Sequence, residues 1–256
     1  MIIQAQKTNA TICFSKRGPE DGEGAKLGQD EIHVWKLPLR RTDEQFIDFE
    51  NSLCQDERQR ADAFLFPHLR QRFVARRGLQ RLILGQYCGV RAKDIKFVYD
   101  DHGKPQVSPD HNLINLHFSI SHSEDLALLA CSRHKPVGID IENIRAVEDR
   151  DDIVSRFFSD IEKQAWQSIK PAERTQAFFK AWTRKEAFVK ALGVGLGLDL
   201  NQFSVSFEDQ DTRLLSWSEE SEKKENWMLY LVNPDQNFSA ALASSNKNGK
   251  ICLFQK

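Results

Sequence analysis

The order of local signals predicts an α+β protein built from two similar lobes. Each half of the chain reads as helical periodicities followed by strand-like runs. In each half a capping-box signature opens a helix: Thr42-Asp43-Glu44-Gln45 in the first, Ser159-Asp160-Ile161-Glu162 in the second. At 256 residues the chain can form one large domain or two of ordinary size, and either can bury a proper core. The expected division is a flexible extension over 1–30, a first lobe over 31–133 and a second over 134–256.

Gly, charge and few apolar residues mark Lys16 to Asp30 as flexible. The β-branched and aromatic run Ile32–Leu37 predicts the first strand. The capping box at Thr42 then starts a helix with Phe46, Phe49 and Leu53 on one face. A second helix is expected over about Glu57 to Leu65, ending near Pro67. A longer one follows from about His68 to Tyr87, stopped by Gly89. Strand signals come next at 95–99, 116–120, 126–130 and 137–141. In the second half, the Ser159 box predicts a helix with Ile161, Ala165 and Trp166 inward. The helix holding Trp182 and Lys190 follows and ends at the glycine run Gly193-Val194-Gly195-Leu196-Gly197. Strands are expected at 203–207, 227–232 and 238–243.

Composition removes several function classes. Lys plus Arg number 36 against 37 Asp plus Glu, so no global charge steers the protein towards nucleic acid or anionic lipid. The five cysteines are scattered, with no Cys-x-x-Cys pair, a pattern of reduced and mostly buried thiols rather than a disulfide framework or zinc site. With no apolar run long enough for a signal peptide or a membrane span, a soluble cytoplasmic protein is expected.

Two segments carry the chemistry. Val137-Gly138-Ile139-Asp140-Ile141-Glu142 reads as a strand, so Asp140 and Glu142 project from one face and Ile139 and Ile141 from the other. Paired carboxylates repel unless a cation lies between them, although an Asp-x-Glu can equally be a solvated strand face. Trp182-Thr183-Arg184-Lys185-Glu186-Ala187-Phe188-Val189-Lys190 reads as a helix in which Glu186 and Lys190 share a face; an ordinary surface ion pair has the same spacing. Three carboxylates and an ammonium suit a magnesium ion holding a pyrophosphate. Seven arginines lie between Arg58 and Arg81, with Arg72 and Arg76 on one helix face, as are Arg77 and Arg81; they form either a solvated face or a phosphate-binding one. Ser121 and His122 do not suit a hydrolase pair, because neighbours on a strand face opposite ways.

Gly-Ile-Asp-Ile-Glu followed by Trp-Thr-Arg-Lys-Glu-Ala-Phe-Val-Lys resembles the paired signature of the Sfp-type 4′-phosphopantetheinyl transferases, a likeness that spans roughly Ile32 to Phe207. The resemblance implies a pseudo-twofold monomer with the site between lobes. It further implies Mg²⁺ bound by Asp140, Glu142 and Glu186, with Glu186 as base and Lys190 and Lys185 on the departing phosphate. Its basic residues imply that Arg72, and more loosely Arg58 and Arg60, hold the coenzyme A 3′-phosphate. The Gly103-Lys104-Pro105 element is similar to the one touching adenine and its phosphates, and Ser121-His122 to the pair whose His contacts the diphosphate. Arg156-Phe157-Phe158-Ser159 also resembles a family segment, its aromatics read as core.

The expected function is transfer of phosphopantetheine from coenzyme A to a serine hydroxyl of an apo acyl or peptidyl carrier protein, without nucleic-acid or membrane partners. Two alternatives stay open: another Mg²⁺-dependent phosphoryl-transfer enzyme, and a nucleotide- or RNA-binding protein without catalysis.

Overall fold

The computed structural model describes residues 26–217, 226–246 and 249–256; most of the expected N-terminal extension lies outside them. In chain order the elements are β1 (Glu31–Pro38), α1 (Asp43–Ser52), α2 (Gln55–Asp62), α3 (Pro67–Cys88), β2 (Phe97–Tyr99), β3 (Pro105–Val107), β4 (Leu116–Ser123), β5 (Leu126–Arg133) and β6 (Val137–Asn143). Then come α4 (Arg150–Phe157), α5 (Asp160–Gln167), α6 (Arg174–Leu192), β7 (Phe203–Val205), β8 (Leu214–Trp217), β9 (Met228–Val232), β10 (Phe238–Ser244) and β11 (Lys250–Gln255). The fold is α+β.

Side-chain alternation along two strands sets the layers. In β1, Trp35 and Leu37 join the buried cluster that contains Leu79, Ile83 and Leu84 of α3, while Ile32 and Val34 join a second cluster on the other face. Val137, Ile139 and Ile141 of β6 enter that same second cluster. The chain therefore stacks α3, a four-stranded sheet ordered β11-β1-β5-β4, a three-stranded sheet ordered β6-β10-β9, and α6. Each fully buried aliphatic side chain in these clusters contributes about 1.5–3 kcal/mol. The polar face of β6 is left pointing at α6.

Local signals place the helix ends. Thr42 and Gln45 make the reciprocal capping box of α1, and Ser159 and Glu162 make that of α5. Gly89 (φ 69°) and Gly193 (φ 76°) take the left-handed conformation that ends α3 and α6.

Several expectations change. In α5, Ile161 is 52% exposed and Ala165 is exposed too; Trp166 and Glu162 are the buried residues. Phe158 is core, but its neighbour Phe157 is 43% exposed. The second helix runs Gln55–Asp62 rather than on to Leu65. Elements β3, α4, β8 and β11 were not expected, and β11 does not stay with the second half: it pairs in parallel with β1. Cys131 is buried, whereas Cys54 is exposed and Cys88 and Cys252 are half-buried.

The two sheets meet along β4 and β6 through serine hydroxyls. Ser119 Oγ accepts the Ile139 N–H at 3.1 Å and Ser123 Oγ accepts the Asn143 N–H at 3.0 Å. These rungs bring the carboxylates of β6 beside the end of β4.

Candidate active site

Strand alternation turns Asp140 and Glu142 towards α6, which brings Glu186 and Lys190 on one face of that helix to meet them. A glycine makes the approach possible. A Cβ on Gly138 would stand 2.0 Å from the Ala187 carbonyl oxygen and 2.4 Å from the Ala191 nitrogen, so strand and helix backbones are nearly in contact.

Asp140 is buried, and its Oδ1 accepts from the Ser121 hydroxyl at 2.8 Å and from Lys190 Nζ at 2.7 Å. Lys190 also donates to Ser121 Oγ at 3.0 Å. Asp140 Oδ2 is buried without a hydrogen-bond partner among the described residues, an uncommon condition for a carboxylate oxygen. Burial, then the Asp140 charge, pushes the Glu142 carboxyl up; burial, Asp140 and Glu142 raise Glu186, opposed by Lys190. The three carboxylates thus repel one another, though their oxygens are not all within 4.8 Å of each other. All-oxygen donors, one buried oxygen without a partner among the described residues, and like charge that Lys190 only partly offsets fit a hard divalent cation.

Two cavities flank this row. One of about 630 Å³ is lined by Lys104, Pro105, Phe118, Ile120, Phe157, Trp182, Glu186, Val189 and Lys190, and is largely apolar. The other, about 750 Å³, holds Arg60, Arg72, Arg76, His122 and Glu142. Burial and the charges of Arg76, Lys190 and Arg72 push the His122 imidazole down to about 4, although its ring reaches solvent.

Of the expected site residues, Asp140, Glu142, Glu186, Lys190 and Ser121 come together around the row, with Lys104 and Pro105 on one cavity wall and Arg60, Arg72 and His122 in the other. Lys185 does not. Its ammonium is fully buried, paired with Glu162 at 2.8 Å, and donates to the carbonyls of Leu200 and Phe203 at 2.7 and 2.8 Å. One residue of helix rotates it away from Glu186 into the core. Arg58 is exposed on α2 and lines neither cavity. Lys104 donates to the Lys190 carbonyl at 2.6 Å, capping the end of α6, and burial lowers its pKa.

Arg72 is already neutralised by Asp125 at 2.7 Å and Glu124 at 2.9 Å. Its neighbour one turn on, Arg76, has no ion pair among the described residues, and its buried Nε lacks a hydrogen-bond partner. Burial and the charges of Arg77 and Arg60 lower Arg76 to about 10. The sequence paired Arg76 with Arg72 by spacing but could not say which one was left without an acid.

A family model described as the 4′-phosphopantetheinyl transferase superfamily matches residues 136–243, and one described as 4′-phosphopantetheinyl transferase, N-terminal, matches 39–134. The 4′-phosphopantetheinyl transferase HetI of Nostoc is 36% identical over 217 residues, covering 85% of this chain and 89% of HetI. The chain belongs to the 4′-phosphopantetheinyl transferase superfamily. Other transferases are similar as well. Sfp of Bacillus subtilis is 34% identical over 172 residues, 62% of this chain and 74% of Sfp. The human L-aminoadipate-semialdehyde dehydrogenase-phosphopantetheinyl transferase is 27% identical over 216 residues, 77% of this chain and 69% of the human one. As a phosphopantetheinyl transferase, this chain moves phosphopantetheine to a carrier protein. No helix among the described residues is long and apolar enough to cross a membrane.

Proposed function

We propose that coenzyme A lies across both cavities, its diphosphate over Asp140, Glu142 and Glu186, and that an apo acyl or peptidyl carrier protein presents its serine at Glu186. The carboxylate row between a basic and an apolar cavity, with Lys190 already seated on Asp140, carries this reading. The 3′-phosphate goes to the arginine cavity, where Arg76 is the guanidinium in need of an anion and His122 and Arg60 stand beside it. Adenine goes to the wall of Lys104 and Pro105.

Asp140, Glu142 and Glu186 would hold Mg²⁺, which when bound neutralises diphosphate charge and polarises its oxygens. Glu186 takes the serine proton, being the carboxylate of the row carried on the helix face that lines the apolar cavity. The serine oxygen forms a bond to the phosphorus that carries pantetheine, and the bond from that phosphorus to adenosine 3′,5′-bisphosphate breaks. Lys190 then holds the charge left on the departing phosphate. The lobes 31–133 and 134–256, with β11 returned to the first, form the walls of this cleft. The protein acts as a cytoplasmic monomer.

Mass analysis of apo carrier protein incubated with coenzyme A and Mg²⁺ tests the reading. Wild-type chain should add one phosphopantetheine and Asp140→Ala none. Arg76→Ala should weaken coenzyme A binding by about 1.5–3 kcal/mol, and much less with 3′-dephospho-coenzyme A. Full activity of Asp140→Ala, or an equal loss with both nucleotides, would overturn the corresponding assignment.

A further inference from the structure

A second group of metal donors lies away from the cleft, where β1 meets β11. Residues two apart on a strand share a face, so Glu31 and His33 project together. The β1–β11 register places Cys252 directly beside His33. One donor atom from each of Glu31, His33 and Cys252 lies within 4.8 Å of the others.

The imidazole is buried and fixed through one nitrogen. His33 is 4% exposed, and its Nδ1 sits 2.7 Å from the Tyr87 hydroxyl, itself fixed by the Trp35 indole N–H at 2.9 Å. The phenol oxygen can accept a second hydrogen bond, and in the tautomer that donates Nδ1–H to it the Nε2 lone pair faces Glu31 and Cys252. Metal-bound histidines are characteristically oriented in this way by a partner on their other nitrogen. Glu31 Oε2 lies 3.3 Å from Nε2, while its Oε1 turns to Lys250 at 3.7 Å. Glu31 and Cys252 are only half-buried, so solvent can reach a fourth position, and the Gly28 N–H at 3.1 Å from Oε2 holds the Glu31 carboxylate towards the imidazole. Around zinc, bonds of about 2.0–2.3 Å place tetrahedral donors roughly 3.3–3.8 Å apart; the Glu31–His33 pair already stands at 3.3 Å, and Cys252 must close by at most about 1–1.5 Å.

We propose that Glu31, His33 and Cys252 bind a zinc-class transition ion with one open position, separate from the carboxylate row. Mixed N, S and O donors select zinc or cobalt over magnesium, which takes oxygen. Two ligands come from β1 and one from β11, whose only ladder partner among the described strands is β1. The ion clips the last strand of the chain to the first sheet. On binding, the thiol proton leaves to solvent and the thiolate takes its place on the metal.

Cobalt reads the site directly. Chelator-treated full-length chain titrated with Co²⁺ should develop a sulfur-to-cobalt charge-transfer absorption that saturates at about one equivalent and is bleached by Zn²⁺. The oxygen donors of the carboxylate row cannot produce that absorption, so the two sites are told apart. Cys252→Ser should lose the band while keeping transfer activity with Mg²⁺, which also reports that it is folded. In the unaltered chain, Zn²⁺ should protect Cys252 from iodoacetamide, read by peptide mass. No sulfur band, an equal band in Cys252→Ser, or alkylation of Cys252 unchanged by zinc would each overturn the proposal.

Discussion

Lys185 and Lys190 stand on the same helix and do opposite things. The Lys185 ammonium lies in the core against Glu162, both side chains fully buried, whereas Lys190 reaches the cleft and Asp140. Lys185→Ala strands a buried carboxylate and should cost about 3–5 kcal/mol in urea unfolding. Lys190→Ala takes the ammonium from buried Asp140 but at a part-exposed position, so it should cost less stability than Lys185→Ala, while lowering kcat about a hundredfold with the coenzyme A KM little changed. If Lys185→Ala proves as stable as wild type and merely slow, the core assignment is wrong. The carboxylates supply a second test. Folding raises the Glu142 and Glu186 pKa values above the ordinary 4.5, so the native state holds their protons more tightly than the unfolded chain. Stability therefore falls as pH rises through the window above 4.5, the reverse of the usual carboxylate case. Glu57 and Asp125 are lowered and pull the other way, so the comparison must be internal. Between about pH 5 and 7 without divalent cations, Asp140→Asn should lose stability less steeply than wild type, because part of the repulsion has been removed. Parallel thermal-midpoint curves for the two chains would contradict this.

At the scale of elements, the contact between β6 and α6 positions the chemistry. Gly138→Ala puts a methyl group against backbone atoms at 2.0 and 2.4 Å, which cannot turn aside as a side chain can. The helix must move off the strand, at a cost of about 1–3 kcal/mol or more, carrying Glu186 and Lys190 away from Asp140. Transfer should drop further than stability alone explains, at temperatures where the variant is still folded. A stable variant with normal turnover would mean that the interface yields without disturbing the site. The elements that were legible in sequence have local causes: the capping boxes at Thr42 and Ser159, the left-handed glycines 89 and 193, and the alternation through Asp140 and Glu142. What escaped was set by distant residues. The inward face of α5 is chosen by Glu162, which Lys185 and the Val205 N–H capture, so Ile161 turns out. The arginine helix could be read for its spacing. Its division into spent and available charge depends on acids from other segments: Glu57 holds Arg77 and Arg81, Asp125 and Glu124 hold Arg72, and none among the described residues holds Arg76. The short strands β3 and β8 contribute three or four residues each, too few for a periodic signal.

For the whole molecule, the decisive feature is how two sheets with different partners are held at one seam. An ordinary ladder between β4 and β6 would consume the backbone groups on both edges and close the space beside the carboxylates. Instead Ser119 and Ser123 supply side-chain oxygens to the Ile139 and Asn143 N–H groups, and Ser121 sits between them on Asp140. The serine spacing of two is the strand period, so all three hydroxyls face the seam while His122 faces the arginine cavity. Ser119→Ala leaves the buried Ile139 N–H without its acceptor and should cost about 1–3 kcal/mol in chemical unfolding. Ser123→Ala exposes a group nearer solvent, which water can satisfy, and should cost less. Because the seam sets the distance from His122 and Arg76 to Asp140, loosening it should misplace the 3′-phosphate and the diphosphate of coenzyme A relative to each other. The double variant should therefore raise the coenzyme A KM and lower kcat together, without any change in the residues that touch the phosphates. Equal stabilities for the two single variants, or a double variant with wild-type kinetics, would show that sheet packing alone holds the seam and that the hydroxyls are incidental.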